Sequence, residues 1–180
     1  MVYVLLGTGF EEVEAITPID LLRRADIPVT TVGINGKTVF GGHDIGIEAD
    51  ITLSEMNPAD LDMIVLPGGL GGVASVRANQ TAMDMLRFAW DNGKFVAAIC
   101  AGPTVLADLG ITQSKAATCY PGCEEDMGNA NMVANVPCVR DGNLITGTSA
   151  GCAVPFGLML IAALKNQATA DAVAQKFVIR

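Results

Sequence analysis

The stretch Phe95-Val96-Ala97-Ala98-Ile99-Cys100-Ala101-Gly102-Pro103-Thr104 does most to restrict how this chain can fold. Five apolar residues read as a strand buried on both faces, and they run directly into a cysteine. Small residues and a proline come next, then the helical pattern Val105-Leu106-Ala107-Asp108-Leu109. A strand that turns abruptly into a helix presents the side chain at the corner, and small neighbours let the backbone take the tight path. The same geometry exposes the serine of a nucleophile elbow; here the corner holds a thiol. A helix N-terminus favours a thiolate through its dipole and free N–H groups, so a lowered thiol pKa is expected at Cys100. The competing reading is a buried free cysteine that only packs.

Three further apolar runs repeat the strand pattern. Val2-Tyr3-Val4-Leu5-Leu6 ends in Gly7-Thr8-Gly9, and Met63-Ile64-Val65-Leu66 ends in Pro67-Gly68-Gly69-Leu70-Gly71-Gly72. Val29-Thr30-Thr31-Val32-Gly33-Ile34 is the third. Helical patterns lie between and after them, from Glu11 to about Arg24, over 81–90, 153–164 and 168–177. Strands alternating with helices predict an α/β layered fold with a mostly parallel central sheet. Ligands in such sheets bind at the carboxyl ends of the strands. The Gly7 loop with Glu14, the Pro67-Gly68-Gly69 loop and Cys100 are therefore expected to converge on one edge.

In the first helix Glu11, Glu12 and Glu14 complement the dipole at its start, and Arg23 and Arg24 suit its last turn. Val13, Ile16, Ile19 and Leu22 fall at helical spacing and predict the core-facing side. Glu14 then lies at the edge of the buried face, where its carboxyl can point into a cleft. Asn35-Gly36 predicts a hairpin turn, and Val39-Phe40 with Ile45-Gly46-Ile47 a small antiparallel excursion around Gly41-Gly42. Residues 51–60 read as irregular. The glycine run over 67–72 reads as a loop whose backbone N–H groups can approach a ligand closely. No Gly-Lys-Ser/Thr follows it and the dinucleotide fingerprint is incomplete, which excludes a P-loop and leaves NAD unsupported. Lys115 to Pro121 predicts a short strand and turn, and 136–146 a hairpin around Asp141-Gly142.

A chain of 180 residues fits one domain spanning 1–180, with room for a full core. The formal net charge of −8 argues against a nucleic-acid partner. Residues 1–6 lack the basic region of a signal peptide, and the longest apolar run, Ala153 to Leu164, is shorter than the roughly 18 residues of a membrane span. No membrane association and a cytoplasmic location are expected. The five cysteines are odd in number and scattered, as reduced thiols are. Cys119 and Cys123 are four apart, but His43 is the one histidine of the chain, so a structural zinc site, or any metal or cofactor, is not expected.

Leu66-Pro67-Gly68-Gly69, Ala97-Ala98-Ile99-Cys100-Ala101-Gly102-Pro103 and Phe10-Glu11-Glu12-Val13-Glu14-Ala15 together resemble the ThiJ/PfpI family, in its branch of the Parkinsonism-associated deglycase. The similarity runs from the first strand to the Pro155-Phe156-Gly157-Leu158 helix. It implies a flavodoxin-like three-layer sandwich, a homodimer, a small carbonyl substrate and no cofactor. By position, Cys100 matches the family nucleophile and Glu14 the carboxyl that hydrogen-bonds its sulfur. The N–H groups of Gly69 and Ala101 match the oxyanion donors. Members with strong glyoxalase or deglycase activity carry a histidine before a proline where this chain has Tyr120 before Pro121, with Cys119 preceding. The basic residue often found in the segment matching Gly147–Gly151 is missing as well. That removes a Cys-His dyad from this position and argues against protease activity. His43 lies in the region that approaches the neighbouring subunit in the family, and reads either as a solvated turn residue or as a contributor to a partner's site. Placed beside Cys100, Cys119 would act as a resolving thiol. Two functions follow: cofactor-free glyoxalase or deglycase chemistry through Cys100 and Glu14, or a redox sensor or chaperone-like stress protein whose Cys100 oxidises to the sulfinate.

Overall fold

The computed structural model describes residues 1–179. In chain order the strands are β1 (Val2–Leu6), β2 (Val29–Gly33), β3 (Thr38–Phe40), β4 (Gly46–Glu48), β5 (Ile51–Thr52), β6 (Met63–Leu66), β7 (Phe95–Ile99), β8 (Ala116–Ala117), β9 (Asn131–Met132), β10 (Cys138–Asp141) and β11 (Leu144–Gly147). The α-helices are α1 (Glu12–Arg24), α2 (Leu70–Arg77), α3 (Gln80–Asp91), α4 (Gly102–Asp108), α5 (Ala153–Leu164) and α6 (Gln167–Lys176). Seven strands form the main sheet in the order β10-β11-β7-β6-β1-β2-β5. All its pairings are parallel except that of β10 with β11. This is the mixed α/β fold with a mostly parallel sheet that the alternating pattern predicts.

The central strands are buried along their length, and their alternation feeds two separate cores. Val2, Val4, Leu6, Val65, Ala97 and Ile99 face a layer that includes Leu21, Leu22, Phe156 and Leu160 of α1 and α5. Tyr3, Leu5, Ile64, Leu66, Val96 and Ala98 face a layer that includes Val73, Leu86 and Val105 of α2, α3 and α4. Helices α1 and α5 cross closely because Gly157 has no side chain: a Cβ there would lie 2.7 Å from Leu21 Cδ1.

The chain winds one way from β1 to β2 and β5, then returns to place β6, β7 and β11 on the other side of β1. The order reverses between β1 and β6. Loops that leave the carboxyl ends of strands flanking such a reversal diverge and open a crevice. The Gly7-Thr8-Gly9 turn after β1 and the Pro67-Gly68-Gly69 turn after β6 are those loops, and Cys100 follows β7, the neighbour of β6.

Four local expectations change. Of the four residues expected to face the core, Ile19 and Leu22 are buried but Val13 and Ile16 are 49% and 45% exposed, while Glu12 and Glu14 on the same helix are buried. The apolar spacing was satisfied equally well by a helix turned so that its acidic edge faces inward, and the hydrogen bonds waiting for those carboxylates decide the rotation. Asn35-Gly36 makes no hairpin: β2 pairs in parallel with β1 and β5, and β3 pairs with β4. The glycine run 67–72 is only half a loop, since α2 begins at Leu70. A Cβ on Gly72 would lie 2.7 Å from Phe10 Cα, so glycine there allows helix and loop to touch. Residues 51–60 contain the short edge strand β5 and two 3-10 turns. No helix among the described residues is long and apolar enough to cross a membrane.

Candidate active site

Cys100 sits one residue beyond β7 and two before α4, with φ of +64°. A non-glycine residue rarely occupies this left-handed region, at a cost on the order of 1–3 kcal/mol. Two backbone hydrogen bonds hold it there. Its N–H donates to the Gly147 carbonyl at 2.9 Å, and its carbonyl accepts from the Tyr120 N–H at 2.8 Å. Gly102 completes the corner, because a Cβ there would meet the Leu66 carbonyl at 2.9 Å.

Glu14 comes from the first turn of α1 and is 1% exposed. Its Oε2 accepts the Gly68 N–H at 2.9 Å. Oε1 is the buried side-chain oxygen, among the described residues, that has no hydrogen-bond partner. Gly68 brings loop and thiol together: a Cβ there would lie 2.6 Å from Glu14 Oε2 and 2.7 Å from Cys100 Cβ.

Burial pushes the Glu14 carboxyl up to about 6, against the pull of the Cys100 thiol and the Gly68 N–H. Burial and the Glu14 carboxylate push the Cys100 thiol up to about 12, against the N–H groups of Ala101 and Gly69. The thiol is therefore not lowered as its place before a helix suggests. Burial and a carboxylate at close range outweigh two backbone donors and a short helix. At rest a thiol faces a carboxylate, and an acid faces a thiolate once the proton crosses. This is the electronic condition for a nucleophile with its own base.

The two groups open into a cavity of about 470 Å³ that is also lined by Glu11, Gly69, Leu70, Ala101, Tyr120, Cys123 and the segment Ser149–Gly151. Of the residues singled out in the sequence, Cys100, Glu14, Gly69, Ala101 and Tyr120 thus meet in one place. Cys119 does not. It is buried in the core beneath α4 and opens toward a different, smaller depression. Thr118 N–H is tied to Thr146 Oγ1 at 2.9 Å and Tyr120 N–H to Cys100, so the residue between them points to the opposite side. The second thiol in the cavity is Cys123, which sequence reasoning passed over. The turn in which Cys123 N–H donates to the Tyr120 carbonyl at 2.9 Å brings it back to the cavity wall. Leu70 and Glu11 were also missed. Leu70 is 82% exposed at the cavity mouth, which becomes visible only once its helix is placed. A cavity of about 540 Å³ lies at the opposite edge of the sheet, lined by Lys94, Lys165 and Phe95 among others, and none of its lining residues is a cysteine.

His43 is an exposed turn residue between β3 and β4, as one of its two expected readings has it, and it is also tied to α1. Its backbone N–H donates to Glu12 Oε1 at 2.7 Å and its Nδ1 lies 2.8 Å from Glu12 Oε2. Burial raises the Glu12 carboxyl, but the His43 donors outweigh it and hold the group below the usual carboxylate range. The β3–β4 hairpin is thereby fastened to the start of α1, with Gly9 N–H donating to the Phe40 carbonyl and Gly42 N–H to the Phe10 carbonyl, each at 2.8 Å. Glu11, Glu12 and His43 are also the one group among the described residues whose ligand atoms, all within 4.8 Å of one another, could hold a metal ion. The Glu12 carboxylate in that group is already engaged by His43.

The sequence matches the DJ-1/PfpI family over residues 1–163. It is 38% identical over 178 residues to protein dj-1beta of Drosophila melanogaster, covering 98% of this chain and 95% of that protein. It is 34% identical over 146 residues to a deglycase of Pyrococcus horikoshii, covering 81% of this chain and 87% of that protein. The crystal structure of Drosophila melanogaster DJ-1beta superposes with a TM-score of 0.94 at 37% identity, over 99% of this chain and 97% of that one. A cysteine-to-alanine mutant of a DJ-1 superfamily protein from Salmonella typhimurium superposes with a TM-score of 0.93 at 34% identity, over 99% and 98% of the two chains.

Proposed function

This chain belongs to the DJ-1/PfpI family, and from that premise we propose that it is a cofactor-free enzyme acting on reactive carbonyls through Cys100 and Glu14. The observation that carries the reading is the buried carboxyl of Glu14 set against a thiol at a strained corner, both open to one cavity. Relatives named as deglycases point the same way.

The Cys100 sulfur attacks the aldehyde carbon of a 2-oxoaldehyde, forming a C–S bond. The thiol proton passes to Glu14, and the carbonyl electron pair becomes an oxyanion. The N–H groups of Gly69 and Ala101, already directed at the sulfur, receive that charge. Glu14 then protonates the oxygen to give the hemithioacetal. As a carboxylate again, it takes the hydrogen of the former aldehyde carbon as a proton and returns it to the adjacent carbon. The resulting thioester is hydrolysed by water to a 2-hydroxy acid and free Cys100, so the net change is addition of one water.

Methylglyoxal disappearance and lactate formation test this directly. Cys100→Ser is expected to lower kcat/KM at least 1,000-fold, because a hydroxyl replaces the nucleophile. Wild type leaving methylglyoxal unconsumed, yet gaining two oxygens at Cys100 under mild peroxide, would move the function to redox sensing.

A second copy of the chain is proposed as the partner, seated on α1. Val13 and Ile16 are exposed there beside Phe40 and Ile45 of the adjoining hairpin, an apolar patch that a lone protomer leaves in water. Wild type should sediment as a dimer, and Ile16→Glu should weaken the association at least 10-fold. A wild-type monomer at micromolar concentration would remove the proposal.

A further inference from the structure

We infer that the cavity over Cys100 discriminates by charge, admitting uncharged carbonyls and turning away those that carry a carboxylate, with Glu11 as the residue that sets the preference. The inference rests on the carbonyl reading above and names its substrate class.

The wall carries two acidic side chains, Glu11 and Glu14, and among the described residues no lysine, arginine or histidine lines it. The remaining surface is apolar or small: Leu70, Tyr120, Cys123 and the Ser149–Gly151 segment. Ser149–Gly151 offers no side-chain cation with which an anionic substrate could pair. The cationic groups nearest in the fold are committed elsewhere. Arg77 Nε donates to Asp108 at 2.7 Å and its NH2 to Thr104 Oγ1 at 2.8 Å. The His43 ring is held by Glu12; its Nδ1 stands 3.7 Å from Glu11 Oε2, and the residue is not part of the cavity lining.

Glu14 takes up the Cys100 proton in the proposed reaction, so its charge varies. Glu11 has no such partner within the cavity and lies in its wall. Its own N–H donates to the Gly68 carbonyl at 3.0 Å, which anchors it to the same loop that holds Glu14. Its negative charge already acts on Glu14, raising that carboxyl further. An incoming carboxylate meets the same repulsion with no side-chain cation in the lining to offset it, whereas a neutral 2-oxoaldehyde needs only the two backbone N–H groups. Glyoxylate and 2-oxo acids are thus the excluded class, and methylglyoxal or phenylglyoxal the admitted one.

Alkylation of Cys100 tests this without turnover. Rates with neutral iodoacetamide and anionic iodoacetate are measured at pH 8 by peptide mass at Cys100, which separates it from Cys123. Each rate is divided by that of a free small thiol. Iodoacetate is expected to be disfavoured at least 10-fold relative to iodoacetamide. Glu11→Gln should recover most of that ratio, and 0.5 M sodium chloride part of it, since salt screens charge but does not alter shape. A wild-type ratio equal to that of the free thiol overturns the inference, as does a ratio that Glu11→Gln leaves unchanged. Charge discrimination in alkylation without methylglyoxal turnover would instead sink the enzymatic reading and leave the charge filter standing.

Discussion

Glu14→Gln is expected to make the protein more stable at pH 7.5 and far less active. A buried carboxyl whose folded pKa stands at about 6, against 4.5 when unfolded, penalises the folded state whenever it ionises. Below pH 4.5 it is protonated in both states and costs nothing. Across pH 4.5 to 6 the unfolded chain loses its proton first and the penalty grows, and above pH 6 the penalty is fully present. The shift corresponds to about 2 kcal/mol. Glutamine keeps the acceptor for the Gly68 N–H and carries no charge. For a chain of this size the gain equals a rise in Tm of about 4–8 °C. At pH 4.5 the two proteins should melt within a degree or two of each other. Activity should fall about 100-fold or more, since no group remains to take the thiol proton. Melting curves at the two pH values decide the matter: a variant less stable at both would mean that the carboxylate is held by contacts rather than penalised by burial. Stability given up to keep a working base buried is a common cost of an active site.

Gly69→Ala should be the most damaging small substitution in the chain's active-site loop. Gly69 has φ of +84° and ψ of 125° at the start of α2, a conformation that strains any side-chain-bearing residue. A Cβ there would also lie 2.4 Å from the Gly9 carbonyl oxygen and 2.6 Å from the Glu11 nitrogen, both backbone atoms that cannot swing aside. Strain and overpacking together are expected to cost about 3–5 kcal/mol. Gly110→Ala is the control: φ is +70° there and no atom lies within 4 Å of the added Cβ. It should cost only about 1 kcal/mol. Denaturant titration of the two variants separates backbone strain from collision, and equal losses would show that the loop yields to the methyl group.

The strand series, the parallel sheet and the corner at Cys100 were legible because each depends on local facts. A run such as 63–66 or 95–99 is too apolar to face water on either side, and a strand buried on both faces needs helices above and below. The convergence of Glu14, Gly69 and Cys100 was legible too, since the carboxyl ends of parallel strands share an edge. Less could be read where two local solutions were equally good. Val13 and Ile16 fit the helical period of the core face that Ile19 and Leu22 do form, yet the contacts of Glu12 with His43 and of Glu14 with Gly68 leave those two outside. Cys119 and Cys123 differ by one helical turn in sequence and by which side of a backbone tie they fall on in space. No pattern in the chain distinguishes them.

What the sequence determined by itself is the architecture and the strand-to-helix corner that carries Cys100, because hydrophobic periodicity and small-residue turns act over a few residues. The tertiary structure decided the chemistry at that corner. The pKa of Cys100 depends on a carboxylate brought from 86 residues earlier in the chain by the packing of α1 against the sheet. Coulombic and desolvation effects follow distance in space and the shape of the surrounding dielectric, and neither is written in the order of residues. The same holds for the unpaired oxygen of Glu14 and for the acidic wall of the cavity, which exist only once separate loops have met at the reversal of the sheet.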